Sequence, residues 1–260
     1  MIRFVALAFG ITWLAVLPLV LAGVGVGPAV PAWLHGLGAL GPILAAYWSD
    51  RDHGLYEARG PSAMTGFWIA CSLATPVFFS LIAVAVVAAR SAPIIDPILA
   101  AASRPDWWLD VAIGSVLYGL GEEPGWRGWL LPCLQRRHTA VGATLLLMPI
   151  WAAWHMPFFF YRFHFDGFGT VVGFLVALLA GAFWLTFLFN STGGSVKVVA
   201  AWHVLWNVAN LALAAVSATA VGILNALMMV LGFGIVVIFG RGGLSLPGRA
   251  ADVRISRHQT

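Results

Sequence analysis

Two adjacent carboxylates and one guanidinium lie in the segment GLGEEPGWRGWLLP, residues 119–132, of an otherwise apolar chain. Glu122 and Glu123 are neighbours, and Arg127 follows Glu123 by four positions. On a helix, neighbouring side chains point in different directions, whereas residues four apart share a face. We therefore expect Glu123 to pair with Arg127, which leaves Glu122 free to act as a general base. A solvated salt bridge in an interfacial loop is the alternative interpretation.

Pro124 and Gly125 directly follow the two carboxylates and are expected to interrupt the helix. Proline has no N–H to donate to the helical hydrogen-bond ladder. Irregular backbone at membrane depth is tolerated where it lines a polar cavity. The sequence therefore predicts a small polar cavity beside Glu122.

Two further polar groups lie in apolar segments downstream. Trp151 precedes His155 by one helical turn, so its indole can cover the imidazole on the same face. His203 and Asn207 are also four positions apart, and both can donate hydrogen bonds to a developing oxyanion. Each group alone is compatible with a packed histidine or a polar contact between helices. Three polar groups on three apolar segments together predict one convergent site.

The other ionisable residues are expected to be peripheral. Five histidines are predicted to lie in loops, at the ends of spans or in the tail: His35, His53, His138, His164 and His258. Asp110 lies near the start of the fourth span and is assigned no role. The cysteines, Cys71 and Cys133, predict neither a disulfide framework nor a metal site.

The chain is too apolar for a soluble domain. Of its 260 residues, 61% are hydrophobic and 9% are charged, and its mean hydropathy is +0.91, whereas soluble domains carry about 25% charged residues. We predict an all-α integral membrane protein with about eight transmembrane helices of roughly 20 residues around a polar catalytic cavity. The predicted spans are 4–23, 32–48, 65–89, 107–122, 140–160, 168–190, 197–215 and 217–240.

Residues 1–240 are predicted to form a single membrane domain, with a retained first helix, and residues 241–260 a flexible cytoplasmic tail. If the N-terminus is cytoplasmic, only three of the 14 Lys and Arg residues fall on the opposite side: Arg90, Arg104 and Arg162. Cytoplasmic loops are enriched in Lys and Arg, so both termini are predicted to be cytoplasmic. The Glu122 motif then lies near the cytoplasmic face.

Three motifs, in this order, resemble the CPBP intramembrane proteases: EExxxR at Glu122–Arg127, an aromatic-xxx-His at Trp151–His155, and HxxxN at His203–Asn207. This family includes the type II CAAX prenyl endopeptidases and the bacteriocin-processing or self-immunity (Abi) proteins. The resemblance covers roughly residues 105–215. Where this chain has Trp151, the family more often has phenylalanine, which also provides an aromatic wall.

The resemblance implies peptide-bond hydrolysis inside the membrane, with roles carried over by position. Glu122 would activate water and His155 would help to orient it, while His203 and Asn207 would hold the oxyanion. The supporting residues would be Glu123, Arg127 and Trp151.

The resemblance does not decide whether a metal ion takes part in the reaction. Two histidines and one glutamate are a known zinc ligand set, here Glu122, His155 and His203. The chain has no His-Glu-x-x-His helix, so its local sequence does not impose metal geometry. We favour a glutamate-type mechanism without a cofactor, and zinc is the alternative.

The expected partners are a membrane-associated protein or peptide substrate and the lipid bilayer of a prokaryotic plasma membrane. The basic residues form no continuous stripe, so nucleic acid is not expected. Two other functions remain open: a non-catalytic scaffold or immunity protein, and a proton-coupled transporter, since buried ionisable groups also form proton relays. No internal repeat relates two halves of the chain, which argues against the transporter.

Overall fold

The computed structural model describes residues 1–49, 63–90, 92–163 and 165–246, and these residues form helices and connecting turns without a strand. The helices are α1 (Ile2–Gly23), α2 (His35–Gly38), α3 (Leu40–Ser49), α4 (Ala63–Ala88), α5 (Ile95–Ala102), α6 (Pro105–Asp110), α7 (Tyr118–Gly125), α8 (Leu131–Gln135), α9 (Ala140–Trp154), α10 (Phe168–Ser191), α11 (Val196–Val216) and α12 (Ala218–Phe239). Residues 50–62, 91, 164 and 247–260 lie outside the described part.

Five helices, α1, α4, α10, α11 and α12, are long and apolar enough to cross a membrane, and α9 is a shorter apolar helix. Large apolar side chains stand on the outer surface, among them Leu14, Phe67 and Val237, which are 72%, 65% and 87% exposed. A water-soluble protein rarely exposes so much contiguous apolar surface. The predicted all-α fold is confirmed, and the chain is a multi-pass integral membrane protein.

Three of the predicted spans differ from the helices observed. The segment 32–48 contains a 3₁₀ turn followed by α2 and α3, and α5 was not predicted. The segment 140–160 consists of α9 and the 3₁₀ turn Met156–Phe160. Pro157 lies in the first turn of the 3₁₀ segment, where its missing N–H would have had no partner within the turn. α9 ends at Trp154, one residue before His155.

The fourth predicted span, 107–122, belongs to a longer helical stretch that is not interrupted at Pro124. This stretch runs from α6 to α8, and two wider π-helical turns link its parts, Val111–Leu117 and Trp126–Leu130. A π-helical turn shifts the hydrogen-bond register by one residue, and a turn of this kind follows the proline. The predicted break at Pro124 and Gly125 is therefore wrong, and the glutamates lie within a helix.

The last two predicted spans are two separate helices. α11 ends at Val216 and α12 begins at Ala218, and between them the Ser217 hydroxyl accepts a hydrogen bond of 3.1 Å from the N–H of Ala220. A side-chain oxygen at this position satisfies an N–H that has no partner within the helix.

Glycines allow α7 to pack closely against its neighbours. A methyl group added at Gly119 would lie 2.6 Å from Val204 Cγ2 of α11. One added at Gly125 would clash with Pro42 of α3. Small residues let helix backbones approach in membranes, where van der Waals packing drives association. α7, which carries the carboxylates, is therefore clamped between α3 and α11.

The two ends of the helix bundle are identified by contacts of α1. Phe4 stacks on Trp129 at 4.6 Å between ring centroids, whereas Gly23 lies against the backbone of Phe160. Arg162 follows closely after Phe160, so Arg3 and Arg162 lie near opposite ends of α1. The predicted topology assigns Arg3 and Arg162 to opposite sides of the membrane, which requires this separation.

The first residues of the predicted tail are packed. Leu244 is fully buried, and the Asn190 carboxamide of α10 donates a 3.0 Å hydrogen bond to the carbonyl of Gly243. A flexible tail therefore cannot begin before residue 247, and residues 247–260 lie outside the described part.

Candidate active site

Glu123 lies at the centre of a buried charged cluster. Its Oε1 accepts hydrogen bonds from Arg127 NH1 at 2.9 Å and from His203 Nδ1 at 2.7 Å. Glu123 and Arg127 are completely buried, and His203 is 7% exposed. The pairing with Arg127 has the spacing expected from the sequence, whereas the bond to His203 joins α7 to α11. Glu123 therefore accepts both of the hydrogen bonds that join Arg127 and His203 into one cluster.

Glu122 points to a different neighbour, as the helix geometry requires for adjacent residues. Its Oε2 accepts a hydrogen bond of 2.6 Å from the indole Nε1 of Trp151, and the residue is 3% exposed. The same indole ring lies under the guanidinium of Arg127, with Cζ 4.2 Å from the ring centroid. Glu122 is thus outside the Glu123 ion pair, but it is not free of partners.

His155 is positioned by the end of α9. Its Nδ1 donates a 2.7 Å hydrogen bond to the backbone carbonyl of Trp151. A carbonyl oxygen can only accept, so Nδ1 carries the proton and Nε2 has the free lone pair in the neutral ring. The rings of Trp151 and Trp154 enclose the imidazole, with centroids at 5.4 and 4.9 Å. His155 can therefore act only through Nε2.

Asn207 lies one turn after His203 on α11 and is partly buried. Within the part of the chain that the structure describes, its carboxamide makes no hydrogen bond. The helix-to-helix contact considered for Asn207 is instead made by Asn210, which accepts a 3.1 Å hydrogen bond from Asn225 of α12. Asn207 is therefore available to a ligand, and Asn210 is not.

The structure links six of the seven predicted site residues through direct contacts, and Asn207 joins them only through its place on α11. Hydrogen bonds connect Glu122 to Trp151, Trp151 to His155, and Glu123 to both Arg127 and His203. These contacts bridge three segments separated by up to 80 residues.

The zinc alternative names Glu122, His155 and His203 as ligands. Among the residues described here, no group of three or more His, Cys, Asp or Glu side chains is arranged to hold a metal ion. Glu122 Oε2 is bound to an indole N–H, and His203 Nδ1 is bound to Glu123. These hydrogen bonds leave Glu122 Oε1 and the Nε2 atoms of His155 and His203 unoccupied, so they do not decide between the zinc and the metal-free alternatives.

His35 was predicted to lie in a loop or at the end of a span, and it begins the short helix α2, where it is buried. Its Nδ1 lies 2.7 Å from the hydroxyl of Tyr161 and 3.2 Å from that of Tyr118, and the Tyr118 hydroxyl donates to the His35 carbonyl at 2.9 Å. Tyr118 lies one turn before Glu122, a spacing that could have indicated this cluster. The sequence did not indicate this burial, which arises because the 3₁₀ turn and short helices of 32–48 place His35 inside the bundle. His138 is exposed, as expected, whereas His53, His164 and His258 lie outside the described residues.

Asp110 is paired with Arg162, whose NH1 donates to its Oδ1 at 3.0 Å. Both side chains are partly exposed, at 42% and 33%. The contact ties the segment after His155 to the helical stretch that carries Glu122. It therefore supports the site from one end of the bundle.

An apolar cleft opens next to the candidate site. It lies between α1 and the 3₁₀ turn after His155, and its lining residues are Trp13, Leu17, Val20, Met156, Pro157 and Phe160. The ionisable side chains of the site do not line this cleft. They are instead packed against one another and against tryptophan rings.

Comparison with known proteins identifies a family that this chain resembles. Residues 104–209 match the family described as "Type II CAAX prenyl endopeptidase Rce1-like". No curated protein gives a significant match. The matched segment includes all seven predicted site residues and omits α1 to α5 and α12. The resemblance predicted from the motifs is therefore confirmed: the segment that carries them matches the Rce1-like type II CAAX prenyl endopeptidase family.

Proposed function

We propose that this protein is an intramembrane endopeptidase that hydrolyses a peptide bond in a membrane-associated protein or peptide. The observation that carries the proposal is the buried network of Glu122, Glu123, His155 and His203, which lies inside the segment matched to the endopeptidase family. Ionisable groups at membrane depth are costly, and they are retained mainly where they serve a function.

In the proposed mechanism, Glu122 is the general base. Oε2 is occupied by the indole N–H, so Oε1 takes a proton from water as the water oxygen attacks the peptide carbonyl carbon. The Nε2 lone pair of His155 orients that water by accepting its second O–H. When the tetrahedral intermediate collapses, the carbon–nitrogen bond breaks and Glu122 returns the proton to the leaving amine. The base then becomes the acid of the second step.

His203 and Asn207 are proposed to bind the oxyanion. Nδ1 of His203 is directed at Glu123, so only its Nε2 can face a substrate. Donation from Nε2 requires the doubly protonated ring, whose positive charge Glu123 balances. The carboxamide of Asn207 supplies a second donor one turn along α11. Glu123 and Arg127 thus support the reaction by holding His203.

The test of this proposal is proteolysis by the purified protein in detergent, measured with a quenched fluorescent peptide library with and without a strong chelator. Cleavage that survives chelation supports the glutamate-type mechanism. Cleavage that is lost on chelation and restored by zinc would instead make Glu122, His155 and His203 metal ligands. If no peptide in the library is cleaved, the scaffold alternative gains support.

Asn207→Ala is expected to lower kcat by about 10²–10³-fold, corresponding to roughly 2.7–4 kcal/mol for one oxyanion donor. KM should change little, because the donor acts mainly in the transition state. The matched control is Asn210→Ala, which removes the same side chain three residues further along α11. Wild-type turnover in the Asn207→Ala protein would contradict the assigned role.

We also propose that the protein is a prokaryotic plasma-membrane protein with both termini in the cytoplasm. The support is the excess of Lys and Arg on one side and the placement of Arg3 and Arg162 at opposite ends of α1. In a variant whose two cysteines are replaced by serine, His138→Cys should resist a membrane-impermeant thiol reagent in intact cells. Asp166→Cys, at the opposite end, should react. The reverse pattern would invert the topology.

A further inference from the structure

Trp151 makes separate contacts with two of the proposed catalytic residues. Its indole N–H donates to Glu122 Oε2 at 2.6 Å, and its backbone carbonyl accepts from His155 Nδ1 at 2.7 Å. The side chain thus holds the base on α7, and the main chain holds the histidine after α9. One residue therefore sets the relative position of both groups.

The Trp151 ring is itself held from two sides. The guanidinium of Arg127 packs on one face of the ring, 4.2 Å from its centroid, and the ring meets that of His203 at 6.1 Å and an angle of 88°. Trp151 is 4% exposed. A cation over an indole face is attracted by the electron density of the ring. The ring therefore cannot turn away from Glu122 without losing these contacts.

We propose that the Trp151 indole N–H is the positioning group for the general base. It occupies Oε2 of Glu122 and holds the carboxylate in the orientation that leaves Oε1 for the attacking water. This inference rests on the proposed endopeptidase function. Without the indole donor, the carboxylate can rotate about its last side-chain bond, because terminal sp³–sp² torsions are broad.

The donor has a second consequence for the carboxylate. Hydrogen bonds to a charged partner are stronger than those between neutral groups. In a buried site, from which water is largely excluded, the ionised Glu122 has few other donors, since Arg127 and His203 are both directed at Glu123. The indole N–H thus replaces part of the hydration that this carboxylate loses.

Two variants remove the donor while they keep the aromatic ring. Trp151→Phe leaves a smaller ring, and benzothienylalanine at position 151 keeps the indole shape but replaces the N–H with sulfur. We expect kcat for a cleavable peptide to fall roughly 10- to 100-fold in both, as for the loss of one hydrogen bond to a charged group. KM should stay within about twofold, because the donor does not contact the substrate.

The matched control is Trp154→Phe. Trp154 also packs on the His155 ring, at 4.9 Å, but its N–H donates to Thr12 of α1 at 2.9 Å rather than to a catalytic group. We expect this variant to lower the thermal unfolding midpoint and to lower kcat less than either change at Trp151. The comparison separates loss of packing near His155 from loss of the donor to Glu122.

The outcomes are distinct. If the folded benzothienylalanine protein cleaves with wild-type kcat, Trp151 does not position the base. Equal losses of kcat for Trp151→Phe and Trp154→Phe, with kcat retained in the benzothienylalanine protein, would assign a packing role instead. Failure of the wild-type protein to cleave any peptide would overturn the proposed function itself. That result differs from a cleaving protein whose kcat does not depend on the Trp151 N–H, which would overturn only the positioning role.

Discussion

Glu122→Gln is expected to abolish detectable peptide cleavage while leaving the protein folded. Glutamine has the shape of glutamate and can still accept the Trp151 N–H through its carbonyl oxygen, but it cannot take a proton from water. General acid–base catalysis contributes about 10²–10⁴-fold to a rate. Since Glu122 is proposed to act in both proton transfers, we expect a loss toward the upper end of that range, measured as kcat/KM with a quenched fluorescent peptide.

The control for this variant is its unfolding in detergent. Glu122 lies outside the Glu123 ion pair, so the substitution leaves the contacts of Arg127 and His203 intact. The thermal midpoint should therefore match that of the wild type. Asp106→Asn, at an exposed pair with Arg104, is a matched carboxylate-to-amide change and should keep both activity and midpoint. Wild-type turnover in Glu122→Gln would remove Glu122 from the mechanism.

Glu123→Ala is expected to be the most destabilising single change in the site. It leaves the Arg127 guanidinium buried without its counter-charge and removes the partner of His203 Nδ1. Breaking a buried ion pair by deleting one partner costs about 3–5 kcal/mol. The loss should appear in the free energy of unfolding measured in mixed detergent micelles, and activity should fall because His203 loses the acceptor that holds its ring.

A double variant tests the cause of that loss. Glu123→Leu with Arg127→Leu removes both charges, and replacement of a buried pair by apolar residues is often neutral or stabilising. The pair is incompletely satisfied, since Glu123 Oε2 and Arg127 Nε and NH2 have no hydrogen-bond partner in the described residues. We therefore expect the double variant to be more stable than Glu123→Ala, yet inactive. If it is as unstable as the single variant, the loss comes from packing and not from the unpaired charge.

Local geometry accounts for what could be predicted about the site. The pairing of Glu123 with Arg127, and the common face of His203 and Asn207, follow from the spacing of four residues on a helix. The hydropathy of the chain determined the membrane fold, because a surface with so few charges cannot be solvated by water. The three motifs in order led to the family whose model matches residues 104–209.

The tertiary structure decided which side chains meet across helices. Trp151 is 29 residues from Glu122, and His203 is 80 residues from Glu123, and these contacts depend on how far each helix is rotated toward its neighbour. That rotation is set by close packing between helices, such as the contact of Gly119 with Val204. The spacing of residues within one helix does not reveal such contacts. The burial of His35 was missed for the same reason. The sequence by itself therefore determined the membrane class and the residues of each motif, whereas helix packing determined their partners, because contacts between helices depend on the whole bundle.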